Sequence, residues 1–172
     1  MIYLKLVGAS DSAHFTKEEI KTLIDGVKKF NNDRVSRVCG TRFEGLSLLH
    51  RDWINLNTQR NRHRLIFDKY FEDIDILLTP ATGSPAFEHD QTGPRYRRFL
   101  TINDKKYPEM AQLYWSGYSG IVGLPSVVGP IGQVRGLPVG YQAIAGHGRD
   151  FTALALSLIH ISEPTRQEAI SY

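Results

Sequence analysis

The hydrophobic pattern along this chain changes period several times, and each change marks the boundary of an element. Ile20, Leu23, Ile24, Val27 and Phe30 recur at steps of three and four, drawing one apolar stripe on a 3.6-residue period. Thr16 stands at the N-cap position and Glu19 follows three residues later, so a capping box predicts where this helix starts. A weaker helical pattern covers 33–43 and stops near Gly45. From Ser47 to about Phe71 the residues Leu49, Trp53, Leu56, Phe67 and Tyr70 return on roughly one face, which predicts the longest helix with that face in the core. Ile2 to Val7 reads as a short strand broken at Gly8.

Further on, strand patterns take over. Ile76, Leu77 and Leu78, closed by Pro80, form a continuous apolar run of the kind buried on both faces of a sheet, and such a strand needs neighbours on two sides. The stretches 126–131 and 139–145 predict two more strands joined through Gly132 to Pro138, and 98–103 a short edge strand. Residues 107–118 suit a helix closed by Gly120 and Gly123, and Asp150 suits the cap of a last helix carrying Phe151, Leu154 and Leu156. Between Ala81 and Pro94, Gly83, Pro85, Gly93 and Pro94 predict an ordered surface loop, the usual seat of binding groups. Helices alternating with buried-type strands indicate an α/β fold built on an extensive sheet, of which this chain holds only part.

Composition narrows the function classes. With 41% hydrophobic and 23% charged residues in 172, the chain is globular rather than disordered or fibrous, and has room for about one domain. Its 21 Lys+Arg against 18 Asp+Glu leave a net charge of only +3. Arg60, Arg62, His63 and Arg64, and later Arg95, Arg97 and Arg98, read as solvated faces, so no nucleic-acid partner is expected. The single Cys39 permits no internal disulfide and fits a reducing, cytoplasmic setting, and no Cys/His spacing predicts a metal. No apolar run reaches the roughly 18 residues that a membrane span requires, so no membrane partner is expected.

Three separated motifs carry a family resemblance: Phe67, Tyr70, Phe71, then Asp75-Ile76-Leu77-Leu78-Thr79-Pro80; Leu124-Pro125-Ser126 with Pro130-Ile131-Gly132; and Gly136-Leu137-Pro138-Val139-Gly140-Tyr141-Gln142. In this order and spacing they resemble the C-terminal third of the amidase signature family, with Arg98, Asn103, Trp115, Gly146 and Asp150 at similar positions. The resemblance implies a large mixed sheet flanked by helices, of which residues 1–155 would form an incomplete portion. It implies hydrolysis of small amides, or ammonia transfer in the transfer-RNA amidotransferase branch, by a serine nucleophile helped by a serine in a cis peptide and a lysine base. No cofactor is implied. The family carries those groups in a Gly/Ser-rich segment upstream of the part resembled, and this chain has no such run, so no catalytic residue is assigned and the chain alone is expected to be inactive. A non-catalytic amidase-like binding or structural subunit is the alternative.

The family's loop region shapes the acyl pocket, which makes Phe87, His89 and Trp115 candidates for lining it. Gln142 interrupts an apolar strand and must be hydrogen-bonded if buried, so it is expected to tie strand to loop behind the site. Ser119 lacks the setting of a nucleophile elbow, Lys105 and Lys106 read as solvated, and His89 and Asp90, adjacent on an extended chain, point to opposite sides.

The tail has a different character. Residues 156–166, LSLIHISEPTR, match the translation of a widely used transposase sequencing adapter. In that adapter a variable index fills the next three codons and ATC TCG TAT follows. Here Gln167, Glu168 and Ala169 precede Ile170-Ser171-Tyr172. Residues 156–172 are therefore expected to be adapter read-through rather than a domain, with His160 carrying no function.

Overall fold

The structure, a computed structural model, describes residues 2–162, and the chain divides into two compact units. Residues 1–62 and 88–112 form the first, and residues 63–87 with those from 113 onward form the second.

The first unit opens with a helix where alternation predicts a strand: α1 runs Ile2–Asp11. Packing against α4 (Thr41–Gly45) decides this, since the local composition leans towards strand. A Cβ at Gly8 would lie 2.0 Å from the Arg42 carbonyl oxygen, and one at Gly45 would lie 2.3 Å from the Lys5 carbonyl oxygen. The two backbones therefore touch through paired glycines, and Gly8, read as a breaker, is a buried contact. Lys5 pairs with Glu44 at 3.3 Å, and Asp11 pairs with Arg42, at the flanks of the contact.

Helix α2 (Lys17–Phe30) forms as its pattern requires. The Thr16 hydroxyl accepts the Glu19 N–H at 3.2 Å, while the Glu19 carboxylate accepts the Thr16 N–H at 2.7 Å and its hydroxyl at 2.9 Å. Those bonds from Thr16, the backbone one first, hold the Glu19 carboxyl below its usual range. The apolar stripe enters a core of Val27, Val35, Cys39, Phe43, Tyr96 and Met110. After α2 the chain stays helical through α3 (Asp33–Val35), a π turn at Ser36–Gly40, and α4. Cys39, within the π turn, is fully buried, and desolvation pushes its thiol up from 9.0 to about 11 against the opposing pull of Arg95 and Arg42. Strands β2 (Phe99–Ile102) and β3 (Lys105–Pro108) form a hairpin whose turn residues Asn103 and Asp104 have positive φ, and Lys105 and Lys106 are exposed on it.

Helix α5 (His50–Tyr70) has the predicted length, but the expected core face is only half-buried, at Trp53, Leu56 and Phe67. None of its residues is buried, Leu49 and Tyr70 are exposed, and Trp53 is half-buried and stacked on His50 at 6.2 Å. Arg60 and His63 fall on the same helical face between Leu56 and Phe67, so the apolar stripe is interrupted for about three turns.

In the second unit, β1 (Ile76–Pro80), β4 (Ser126–Val134) and β5 (Leu137–Ala145) build one antiparallel sheet in the order β1-β5-β4. Thr79, Gln142 and Val128 stand in register on one face, and Leu78, Ala143 and Val127 on the other. Ile144 joins Phe71, Val122 and Leu124 in the core, with Phe67 and Leu77 packed around them. Contrary to the expectation of neighbours on both sides, β1 pairs with β5 alone among the described residues, and Leu78 is 58% exposed. Helix α6 (Leu113–Val122) starts later than predicted because β3 takes the residues to Pro108, and it contains Gly120 and ends before Gly123. In α7 (Asp150–Ser162) the Arg149 carbonyl accepts the first helical bonds, so Asp150 lies in the first turn rather than at the cap. There its carboxylate still favours the positive end of the helix. This helix packs on β4 and β5 with Ala153 and Ser157 buried, leaving Phe151 and Leu154 exposed and Leu156 half-buried. The tail reading falls partly outside the described residues, at 163–172.

Replacing Gly8 by Ala will force α1 away from α4 and destabilise the first unit by about 3 kcal/mol, read as a lower urea midpoint. An unchanged midpoint refutes the glycine contact. The raised Cys39 thiol implies that its contribution to stability is full below pH 9.0, the unfolded value, and is lost as pH rises through about 11. Across that window the chain will lose more stability in urea titrations than its Cys39→Ala variant does.

Candidate functional site

Strand β5 occupies the middle of its sheet, so Gln142 is buried in an otherwise apolar neighbourhood. Its Nε2 donates to the Ser119 hydroxyl at 2.8 Å, and the Ser126 hydroxyl lies 3.2 Å from the same oxygen. The Ser119 hydroxyl lies 3.4 Å from the Ser116 carbonyl, to which it donates. Backbone bonds run alongside: Leu124 N–H to the Ser119 carbonyl and Ala145 N–H to the Pro125 carbonyl, each at 3.0 Å. The end of α6, the Leu124-Pro125-Ser126 turn and β5 are thus tied into one piece. Ser119 is occupied as an acceptor for an amide and a hydroxyl, with no base among these partners, so it is not an activated nucleophile.

A cleft of about 400 Å³ opens where β1 ends and the β4–β5 hairpin passes. Leu78, Pro80, Ile131, Val139 and Tyr141 supply its apolar wall. Leu78, Pro80 and Tyr141 belong to the sheet face opposite Gln142, so the buried amide stands behind this wall. The Tyr141 ring lies over Gly129, where a Cβ would come within 2.8 Å of it, so the missing side chain makes room for the ring. The loop after Pro80 closes one end, with Ala81 N–H bonded to the Gly140 carbonyl at 3.0 Å and the Thr82 hydroxyl to the Ser84 carbonyl at 2.7 Å. None of the residues lining the cleft is His, Lys, Asp, Glu, Arg or Cys. Such a surface can receive an apolar group and orient it through hydroxyls and backbone.

None of Phe87, His89, Trp115 and Gln142 is among the residues lining this cleft. Phe87 is exposed on the loop of the second unit, two residues beyond Pro85 of the cleft. His89 is exposed and belongs to the first unit. Its neighbour Asp90 is engaged by Thr92 through the backbone N–H at 2.8 Å and the hydroxyl at 2.5 Å, and these bonds hold its carboxyl low, the hydroxyl bond contributing most. Trp115 lies on α6, half-buried, stacked on Tyr118 at 5.9 Å and edge-on to Tyr114 at 5.1 Å. The late arginines also have internal partners: Arg95 meets Glu109 at 2.9 Å, Arg97 covers the Phe30 ring at 5.5 Å, and Arg98 donates to the Gly93 carbonyl at 3.2 Å. Sequence reading missed Thr82, Ser84, Ile131 and Tyr141, though all sit within or beside the three motifs. Among the described residues, no group of three or more His, Cys, Asp or Glu could hold a metal ion, and no helix is long and apolar enough to cross a membrane.

The sequence profile of the family described as Amidase matches residues 2–154. The chain belongs to the amidase family. It is 32% identical over 107 residues to an indoleacetamide hydrolase of Bradyrhizobium diazoefficiens, a match covering 59% of this chain and 18% of that protein. It is also 32% identical over 121 residues to a glutamyl-tRNA(Gln) amidotransferase subunit of Coxiella burnetii, covering 67% of this chain and 22% of the relative. A crystal structure of an amidase overlays 91% of this chain with a TM-score of 0.62 and 22% identity, and the chain covers 33% of it. This amidase-family chain therefore spans about a fifth of the length of these two relatives and a third of that solved fold. The polar tie at Gln142 and the cleft wall both lie within the segment that the family profile matches.

Ser119→Ala will leave the buried Gln142 amide without its acceptor and cost about 1–3 kcal/mol in a denaturant titration. Adding Gln142→Leu will recover part of that loss, so the double variant falls short of the sum by about 1 kcal/mol. Strict additivity would show that the two side chains do not depend on each other.

Proposed function

We propose that this chain is the C-terminal portion of a serine-dependent amidase, forming one wall of the amide-binding cleft, while the nucleophile and base lie upstream. The lining of the cleft carries this reading: an apolar wall with hydroxyls and backbone groups, and no His, Lys, Asp, Glu, Arg or Cys side chain among its residues. In the intact enzyme the upstream serine attacks the amide carbonyl, the amine or ammonia leaves, and water releases the acyl group. The small amide substrate places its apolar part against Leu78, Val139 and Tyr141, and Phe87 extends that wall from the loop. Gln142 holds β5 in place from behind.

A second reading, a fragment of a transfer-RNA-dependent amidotransferase subunit, has the support of the relative in Coxiella burnetii, whose match covers more of this chain than that of the hydrolase. Both readings share the serine chemistry and differ in whether the released ammonia is lost to solvent or delivered to a partner's acceptor.

The domain reading accompanies this proposal: residues 1–155 are amidase, and 156–172 are translated adapter. The family profile supports it by matching residues 2–154 and none of the tail.

Sequencing the locus from independently prepared DNA is expected to replace LSLIHISEPTR with other residues and to extend the reading frame upstream through a Gly/Ser-rich segment and a lysine. An unchanged tail overturns the adapter reading, and an upstream frame without that segment overturns the enzyme reading. The 172-residue chain itself will release no ammonia from small amides, and turnover that survives Ser119→Ala and Ser126→Ala would still place a nucleophile inside it, against the proposal.

A further inference from the structure

Strand β4 carries one residue that its sheet leaves over. Pro130 stands opposite Gly140 and Gly132 opposite Val139, so Ile131 is an extra residue with no cross-strand partner in β5. A bulge of this kind bends its strand and re-aims the side chain of the inserted residue. Here that side chain is 70% exposed and lines the cleft together with Leu78, Pro80 and Val139. Two hydroxyls of the same wall are already committed. The Thr82 hydroxyl donates to the Ser84 carbonyl at 2.7 Å and the Thr79 hydroxyl to the Pro80 carbonyl at 3.3 Å, which leaves both oxygens as acceptors. Tyr141 covers Gly129 with its ring, and its hydroxyl oxygen is buried. None of the lining residues is Lys, Arg or His. A carboxylate laid against this wall loses water and gains no cation in exchange, whereas an alkyl chain buries apolar surface.

We infer that Ile131 is a specificity-determining residue: from the bulge it covers the acyl part of the amide, so that the cleft takes an uncharged alkyl chain and rejects one that ends in a carboxylate. This rests on the amidase reading proposed above and names the substrate class of the same site. The position of Ile131 is set by the hairpin, because the Pro130 ring locks φ just before the bulge and Val139 is paired just beyond it. Since Ile131 has no cross-strand partner, its side chain can be exchanged without breaking a contact in the sheet.

The test compares hexanamide with succinamate, an amide of similar size that ends in a carboxylate, in the protein extended by its upstream coding sequence. The kcat/KM for hexanamide is expected to exceed that for succinamate at least about a hundredfold. Ile131→Arg should lower that ratio at least about tenfold, chiefly by raising KM for hexanamide and lowering it for succinamate, while Ile131→Leu keeps it within about threefold. A binding measurement stands beside the kinetics: in the 172-residue chain, hexanamide should shift the NMR signals of the Ile131 and Val139 amides, and succinamate at the same concentration should not. A ratio unchanged by Ile131→Arg, or equal shifts with the two amides, overturns the specificity role, while turnover itself keeps the amidase reading. A fall in melting temperature with both kcat/KM values reduced alike would make Ile131 a structural residue and likewise overturn it. No turnover of either amide by the folded extended protein overturns the amidase reading instead, and the specificity role with it.

Discussion

The buried Gln142 amide can sit at the middle of an apolar strand only because the Ser119 hydroxyl accepts its N–H. A buried amide without a partner costs on the order of 1–3 kcal/mol, a large share of the stability of a small unit. Making the bond commits three elements at once, because Ser119 lies in the last turn of α6, Ser126 begins β4 and Gln142 belongs to β5. The cleft wall inherits its position from that commitment. Tyr141 and Val139 face the cleft because Gln142 faces the serines, and successive side chains on a strand alternate.

The first unit rests on contacts of another kind. Gly8 and Gly45 let two backbones approach to distances that any side chain would forbid, and this close approach accompanies a helix in a segment whose residues favour strand. Its core is apolar and includes a cysteine whose burial suppresses ionisation, so the thiol serves as packing rather than chemistry. The exposed lysines of β3, the engaged Asp90 and the occupied Ser119 each stand in a local structural setting.

This member of the amidase family matches the family profile over residues 2–154 and covers 18% and 22% of two relatives. Leu78 on β1 and Phe151 and Leu154 on α7 are exposed apolar side chains.

Sequence alone determined the elements whose signals are local. The capping box at Thr16 and Glu19, the stripe through Phe30 and the motifs around Pro80, Pro125 and Gln142 are all short-range patterns with a physical cause. Tertiary structure decided what depends on distant partners. Ile2–Asp11 became a helix through α4, and Leu78 stands open because a strand's neighbours are set by the whole sheet. The cleft was illegible for the same reason. It joins β1 to a hairpin some fifty residues later, and periodicity records which side of a strand a residue takes but not which strand will lie beside it.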